Sequence, residues 1–168
     1  LSQLNYPTNA QVSTATGKKV VGRSAAQNHH RGHRLGKSDF RKSFVLTGST
    51  RTVAYRPPPE AGLPEGMVWV PKCNVYGDIA APVAYEWELW QDLTALGFEQ
   101  GKADPCVWTL HDEDGTHDGA MALDVDDLLI AANERMHAII LKELGDKCFI
   151  GEMEMDSVTH CAIEWEQS

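Results

Sequence analysis

The chain has 168 residues, 42% hydrophobic and 23% charged, which suits one domain with a substantial buried core. Its formal net charge of −9 argues against a simple nucleic-acid binder, and no apolar run approaches a membrane span. The charge is unevenly spread: residues 1–72 carry 11 Lys/Arg and 3 Asp/Glu, whereas residues 73–168 carry 4 and 21. That asymmetry suits a first part that meets a polyanion and a second part that gathers metal ions. It suits equally a basic, poorly ordered arm on an acidic domain. Cys73, Cys106, Cys148 and Cys161 show no CxxC spacing and read as free, mostly buried thiols of a reducing compartment. The chain begins with Leu and reads as a fragment or a processed piece.

Residues 1–34 are weakly patterned and basic, and only Lys19-Val20-Val21 hints at a strand. His29, His30 and His33 crowd together with Arg31 and Arg34; a structural zinc site wants four ligands and no Cys lies near, so a solvated basic loop or helix end is expected. Asp39 follows a short approach and precedes Phe40, Arg41 and Phe44. Val53-Ala-Tyr55 and Met67-Val-Trp-Val70 read as short strands on either side of the extended Arg56-Pro-Pro-Pro59. Across 83–96, Val83, Trp87, Trp90, Leu93 and Leu96 recur at spacings of three and four, predicting a helix that buries both tryptophans and stops at Gly97. Cys106–Leu110 is a strand. Asn133 caps a second helix with Met136, Ile139, Ile140 and Leu144 on one face, closed by Gly145. Phe149–Met155 and Val158–Trp165 read as two final strands. The order predicts an α+β fold, an antiparallel sheet with helices packed on one face.

The stretch most suggestive of chemistry is Met121-Ala-Leu-Asp124-Val-Asp126-Asp127-Leu-Leu-Ile130. Apolar arms run up to a group of carboxylates and away from it, predicting two strands joined by a tight turn with Asp126 and Asp127 at the tip. Carboxylates held this close repel unless a cation sits between them, and hard divalent cations take such oxygen ligands. A solvated acidic hairpin tip is the plainer alternative.

Several stretches in order resemble the reverse transcriptase domain of Ty1/copia-type retrotransposon polyproteins, over about Leu35 to Trp165. Asp39-Phe-Arg-Lys-Ser-Phe44 is similar to D-V-K-x-A-F, and Arg56-Pro-Pro-Pro to x-P-P-G-F. Met67-Val-Trp69 resembles K-V-W, and Val75-Tyr-Gly-Asp-Ile-Ala-Ala-Pro82 resembles L-Y-G-L-K-Q-A-P. Leu96–Cys106 is close to L-G-F-x-x-S-x-x-D-P-C. Asp124-Val-Asp-Asp-Leu-Leu-Ile130 is similar to Y-V-D-D-L-L-I, and Cys161-Ala-Ile-Glu164 to L-G-I-E. The resemblance implies a palm and fingers fragment (residues 35–168) of an RNA-directed DNA polymerase. It implies Asp39, Asp126 and Asp127 as catalytic ligands of two Mg2+ ions, with Mn2+ a possible substitute. It implies nucleotide contacts from Phe40, Arg41, Phe44, Tyr76 and Gly77, with Phe44 the aromatic that excludes a 2′-hydroxyl. Implied partners are an RNA or DNA template with its primer, deoxynucleoside triphosphates and other parts of the polyprotein, in the cytoplasm, a virus-like particle or the nucleus, with no membrane.

The sequence departs from that pattern at named positions. Asp124 stands for the family's tyrosine, Ile79 and Ala80 for its Lys and Gln, and Val83 for its Arg. Residues 1–34 hold no clear counterpart of the family's basic fingers segment, and thumb and RNase H are not represented, so a truncated or degenerate copy is expected. On a continuous strand Asp124 would share a face with Asp126 and add charge beside the metals, so that Asp124→Tyr would raise primer extension. A non-catalytic remnant that binds nucleic acid through residues 1–72 is the alternative. A haloacid-dehalogenase-type phosphatase fits less well, since Leu128 stands where D-x-D-x-T needs Thr.

Overall fold

A computed structural model describes residues 12–41, 48, 52–78, 80–148 and 150–167, the side chains of Lys147 and Cys148 excepted. Its framework is a six-stranded sheet in the order β2-β3-β4-β5-β1-β6. The strands are β1 (Arg34–Asp39), β2 (Glu99–Gln100), β3 (Val107–His111), β4 (His117–Asp124), β5 (Asp127–Ala132) and β6 (Glu154–Met155), each pair antiparallel. Among the described residues three α-helices accompany them: α1 (Ala15–Gln27), α2 (Ala81–Ala95) and α3 (Glu134–Cys148). A separate hairpin of β7 (Ser157–His160) and β8 (Ile163–Glu166) closes the fold.

The α+β class is as the sequence predicts, but helices cover both faces of the sheet rather than one. Residues Leu128 to Ala132 of β5 are all fully buried, so the strand has no solvent side. Alternation then sorts its neighbours. Met121, Leu128 and Ile130 face Tyr85, Leu89 and Leu93 of α2 and Ile140 and Leu144 of α3. Ala120, Ala122, Leu129 and Ala131 face Val21 and Ala25 of α1 and Val158 of β7. The face under α1 is rich in alanine, which lets a helix backbone approach. Gly22 of α1 comes so close to the Trp165 ring of β8 that a Cβ there would collide with it.

The missed helix explains itself. Its buried side is Gly17, Lys18, Val21, Ser24 and Ala25, mostly small or polar residues, so its inward stripe lacks the large apolar side chains by which a helix is recognised. The legible signal was the cap: Thr14 is extended, and its Oγ1 accepts from the Gly17 amide at 2.9 Å.

α2 begins two residues earlier than predicted, with Pro82 in its first turn, and ends as expected. Gly97 lies at φ +88°, its amide donating to Thr94 while the Phe98 amide donates to Leu93, a Schellman closure that packs Phe98 into the core. Trp87 and Trp90 overturn the expectation of burial: they are exposed and stack on each other, ring centroids 5.2 Å apart and 3° from parallel. The helix buries Ala81, Ala84, Tyr85, Leu89 and Leu93 instead, a stripe rotated away from the tryptophans. α3 is capped by Asn133, whose Oδ1 accepts from the Met136 amide, and runs past Gly145 to Cys148.

The two strands expected around the prolines reduce to one bridge, Tyr55 with Trp69. Val158–Trp165 is not one strand but the β7–β8 hairpin, reversed at Cys161-Ala162. Phe149 lies outside the described residues, and the strand expected before Met155 shortens to β6. Of the three cysteines whose side chains are described, Cys106 is buried but Cys73 and Cys161 are exposed, against the expectation of mostly buried thiols.

Both turn residues of the β7–β8 hairpin are left-handed, Cys161 at φ 48° and Ala162 at 60°, as a type I′ turn requires. That conformation costs a non-glycine residue about 1–2 kcal/mol, part of which glycine returns as chain entropy. Ala162→Gly is therefore expected to raise stability by about 0.5–1 kcal/mol, read from the urea midpoint.

A histidine cluster occupies the sheet end where β1 begins. His33 is fully buried and both ring nitrogens lack a hydrogen-bond partner. Burial lowers its pKa; Asp118 opposes this, with Nε2 4.0 Å from Asp118 Oδ1, while Arg31, His117 and His137 add to it. Burial likewise lowers His117, which bonds Ser24 Oγ, and His137, which bonds the Arg34 carbonyl. Folded-state values below the ordinary 6.5 mean that the unfolded chain binds more protons once pH falls under 6.5. Stability is thus fully kept above that pH and declines as pH drops through it. Urea unfolding at several pH values should show this decline, and His33→Leu should make it shallower.

Candidate functional site

The end of the sheet opposite the histidines gathers the acidic residues. β4 and β5 are joined by the two-residue turn Val125-Asp126, closed by the pair Asp124 and Asp127. Val125 sits at φ 58°, an unusual position for a β-branched residue and one that a first turn residue of positive φ requires. Asp39, the last residue of β1, lies directly across from Asp127. The Phe40 amide donates to the Asp126 carbonyl at 2.7 Å, carrying the pairing into the turn. Residues 88 positions apart in sequence thus become cross-strand neighbours, whose Cα atoms in such pairs lie about 4.5–5.5 Å apart.

Asp39 and Asp127 remain accessible, with side chains 48% and 39% exposed. Each has a cation nearby: Arg41 Nε is 3.5 Å from Asp39, and Lys37 Nζ is 4.0 Å from Asp127. Their oxygens suit a hard divalent cation. The trio does not converge on a point, however. Among the described residues, the group of acid, His and Cys side chains whose donor atoms all lie within 4.8 Å of one another is Asp124, His160 and Cys161.

The other residues singled out from sequence are placed as follows. The Phe40 side chain is in the core, edge-on to Tyr85 with ring centroids 6.2 Å apart, so a nucleotide contact through its ring is ruled out by burial. Arg41 is exposed beside Asp39. Tyr76 is exposed, and Gly77 follows it at φ +89° in the turn before α2. Phe44 lies outside the described residues.

Asp124 differs most from its expected role. It stands on the same row and sheet face as Asp127 and Asp39, the face of Ala120 and Ala122, but α1 closes over it. Oδ1 accepts from the Ser13 amide at 2.8 Å and from Lys18 Nζ at 3.0 Å. Oδ2 accepts from Ser13 Oγ at 2.9 Å and lies 2.6 Å from His160 Nε2. Burial would raise its pKa, but the bonds from Lys18, His160 and Ser13 together hold it below the usual carboxylate value. Asp104 acts in parallel, accepting from the amide and hydroxyl of Thr14 at 2.8 Å each. Two carboxylates therefore grip the N-terminal end of α1, where the helix dipole favours negative charge. Ser13, Lys18 and His160 had no motif to announce them, and Asp104 was visible only as the Asp of the D-P-C stretch, with nothing to link it to Thr14; Ser13-Thr14 ahead of α1 was the readable cap signal.

No protein-family model matches the chain, and no curated protein matches it. Among the described residues no helix is long and apolar enough to cross a membrane.

Proposed function

We propose that the chain is the palm portion of a reverse-transcriptase-like nucleotidyltransferase of the Ty1/copia type, with departures that lower its own activity. The observation that carries the reading is the β1–β5 register, in which Asp39 falls opposite Asp127 beside a turn that holds Asp126. Two-metal phosphoryl transfer needs carboxylates from separate strands on one rigid scaffold, and a central sheet buried on both faces is such a scaffold.

In this reading Asp39, Asp126 and Asp127 would hold Mg2+, which supplies neutralisation of phosphate charge. The exposed Arg41 would meet an incoming triphosphate, since its guanidinium is already at the mouth of the acidic row. Phe40 contributes backbone pairing to the turn and core packing by its ring. Template, primer and deoxynucleoside triphosphates are the matching substrates.

Primer extension on RNA and DNA templates, with Mg2+ and with Mn2+, tests the reading. The expected result is extension that Asp39→Asn and Asp127→Asn each reduce at least a hundredfold. A second reading is a non-catalytic remnant, favoured by the fact that the three carboxylates do not converge while Asp124 is drawn under α1. Template binding without extension under either metal supports it.

A further inference from the structure

We propose that Asp124, His160 and Cys161 form a binding site for a thiophilic divalent cation of the Zn2+ class, one that uses none of Asp39, Asp126 and Asp127. One donor atom from each residue lies within 4.8 Å of the other two. The donors are a carboxylate, an imidazole and a thiol, a set that selects Zn2+ over Mg2+ or Ca2+. They come from the end of β4, the end of β7 and the β7–β8 turn, three points already fixed by strand pairing.

The two edges of the Asp124 carboxylate are used differently. Oδ1 is pinned by Lys18 Nζ and the Ser13 amide. Oδ2 faces His160 Nε2 at 2.6 Å, and the Cys161 Sγ lies within 4.8 Å of an Asp124 carboxylate oxygen. Metal-binding carboxylates are commonly held in this way by partners behind them. His160 is fully buried with no hydrogen-bond partner at Nδ1, whereas Cys161 is exposed, leaving an approach and an open coordination position for water. On binding, any proton on His160 Nε2 passes to Nδ1 or, where Nδ1 already carries one, to solvent; the Cys161 proton is released to solvent, and the cation bonds Nε2, Sγ and Oδ2. The charges then sum to a site of modest net charge, with Lys18⁺ and the cation facing Asp124⁻ and the thiolate. The ion would join the β4–β5 hairpin to the β7–β8 hairpin.

Co2+ titration of the whole chain, followed by absorption, tests this directly. A sulfur-to-cobalt charge-transfer band is expected that saturates at one ion per chain, is abolished in Cys161→Ser, and is bleached by Zn2+. It should survive Cys73→Ser with Cys148→Ser, survive Asp39→Asn, and persist in excess Mg2+. Absence of the band in the wild-type chain, its persistence in Cys161→Ser, or its loss in the Cys73/Cys148 variant or to excess Mg2+ would overturn the proposal. Cys161 is exposed, so its serine variant keeps the fold; survival of the band in Asp39→Asn keeps this result independent of the polymerase reading.

Discussion

Asp124→Ala is expected to cost about 3–5 kcal/mol, a large part of the stability of a domain this size. The loss comes less from the bonds removed than from what they leave behind. Lys18 is only 5% exposed, and its ammonium has Asp124 and the Ser13 carbonyl as partners. Without the carboxylate a buried cation is unpaired, His160 Nε2 loses its acceptor, and the N-terminal end of α1 keeps only Asp104. Asp124→Tyr falls under the same argument. The sequence suggested that tyrosine would improve polymerase chemistry; the structure predicts that it unfolds the α1 junction first. The double variant Lys18→Met with Asp124→Leu should cost less than Asp124→Ala alone, since it buries no orphan charge. Urea midpoints of the three variants decide this. Because the carboxyl pKa is lowered in the fold, the contribution is present above the usual value of 3.8 and is lost as pH falls through the lowered one.

Leu129→Ala and Ile130→Ala are expected to cost about 2–5 kcal/mol each, and by similar amounts. The two are adjacent on β5, so their side chains point to opposite faces. Ile130 packs under α2 and α3, Leu129 under α1 and β7, and both are fully buried. A sheet covered on one face would make one of these substitutions nearly silent. Denaturant unfolding of the pair therefore tests the double coverage, and a cost below about 1 kcal/mol for Leu129→Ala would remove α1 from the folded core.

The parts of the fold that the sequence revealed are those where one force dominates. The β4–β5 run was legible because Leu128-Leu-Ile-Ala-Ala132 is continuous apolar chain directly after Asp126-Asp127. The end of α2 was legible because Gly97 is the residue a left-handed closure needs. α1 was not, because its burial is carried by Gly17, Ser24, Ala25 and a paired Lys18 rather than by large apolar residues. The tryptophans misled because Trp87 and Trp90 do share a helix face, and spacing alone does not say which face meets the sheet. At the site, the resemblance led to the expectation that the Asp39, Asp126 and Asp127 side chains converge; the register pairs Asp39 with Asp127 across β1 and β5. The pull of Asp124 toward Lys18 was not visible, because it depends on a turn at Val125 that ends the strand and on a helix that the pattern did not show.

The central claim is that Asp39 and Asp127 act together on a divalent cation. Calorimetric titration of the whole chain with Mg2+ tests it most directly, with Asp112→Asn as a surface-acid control. The account predicts saturable binding that weakens at least tenfold in Asp39→Asn and in Asp127→Asn and is unchanged in the control. Equal Mg2+ affinity in wild type and both variants would contradict it.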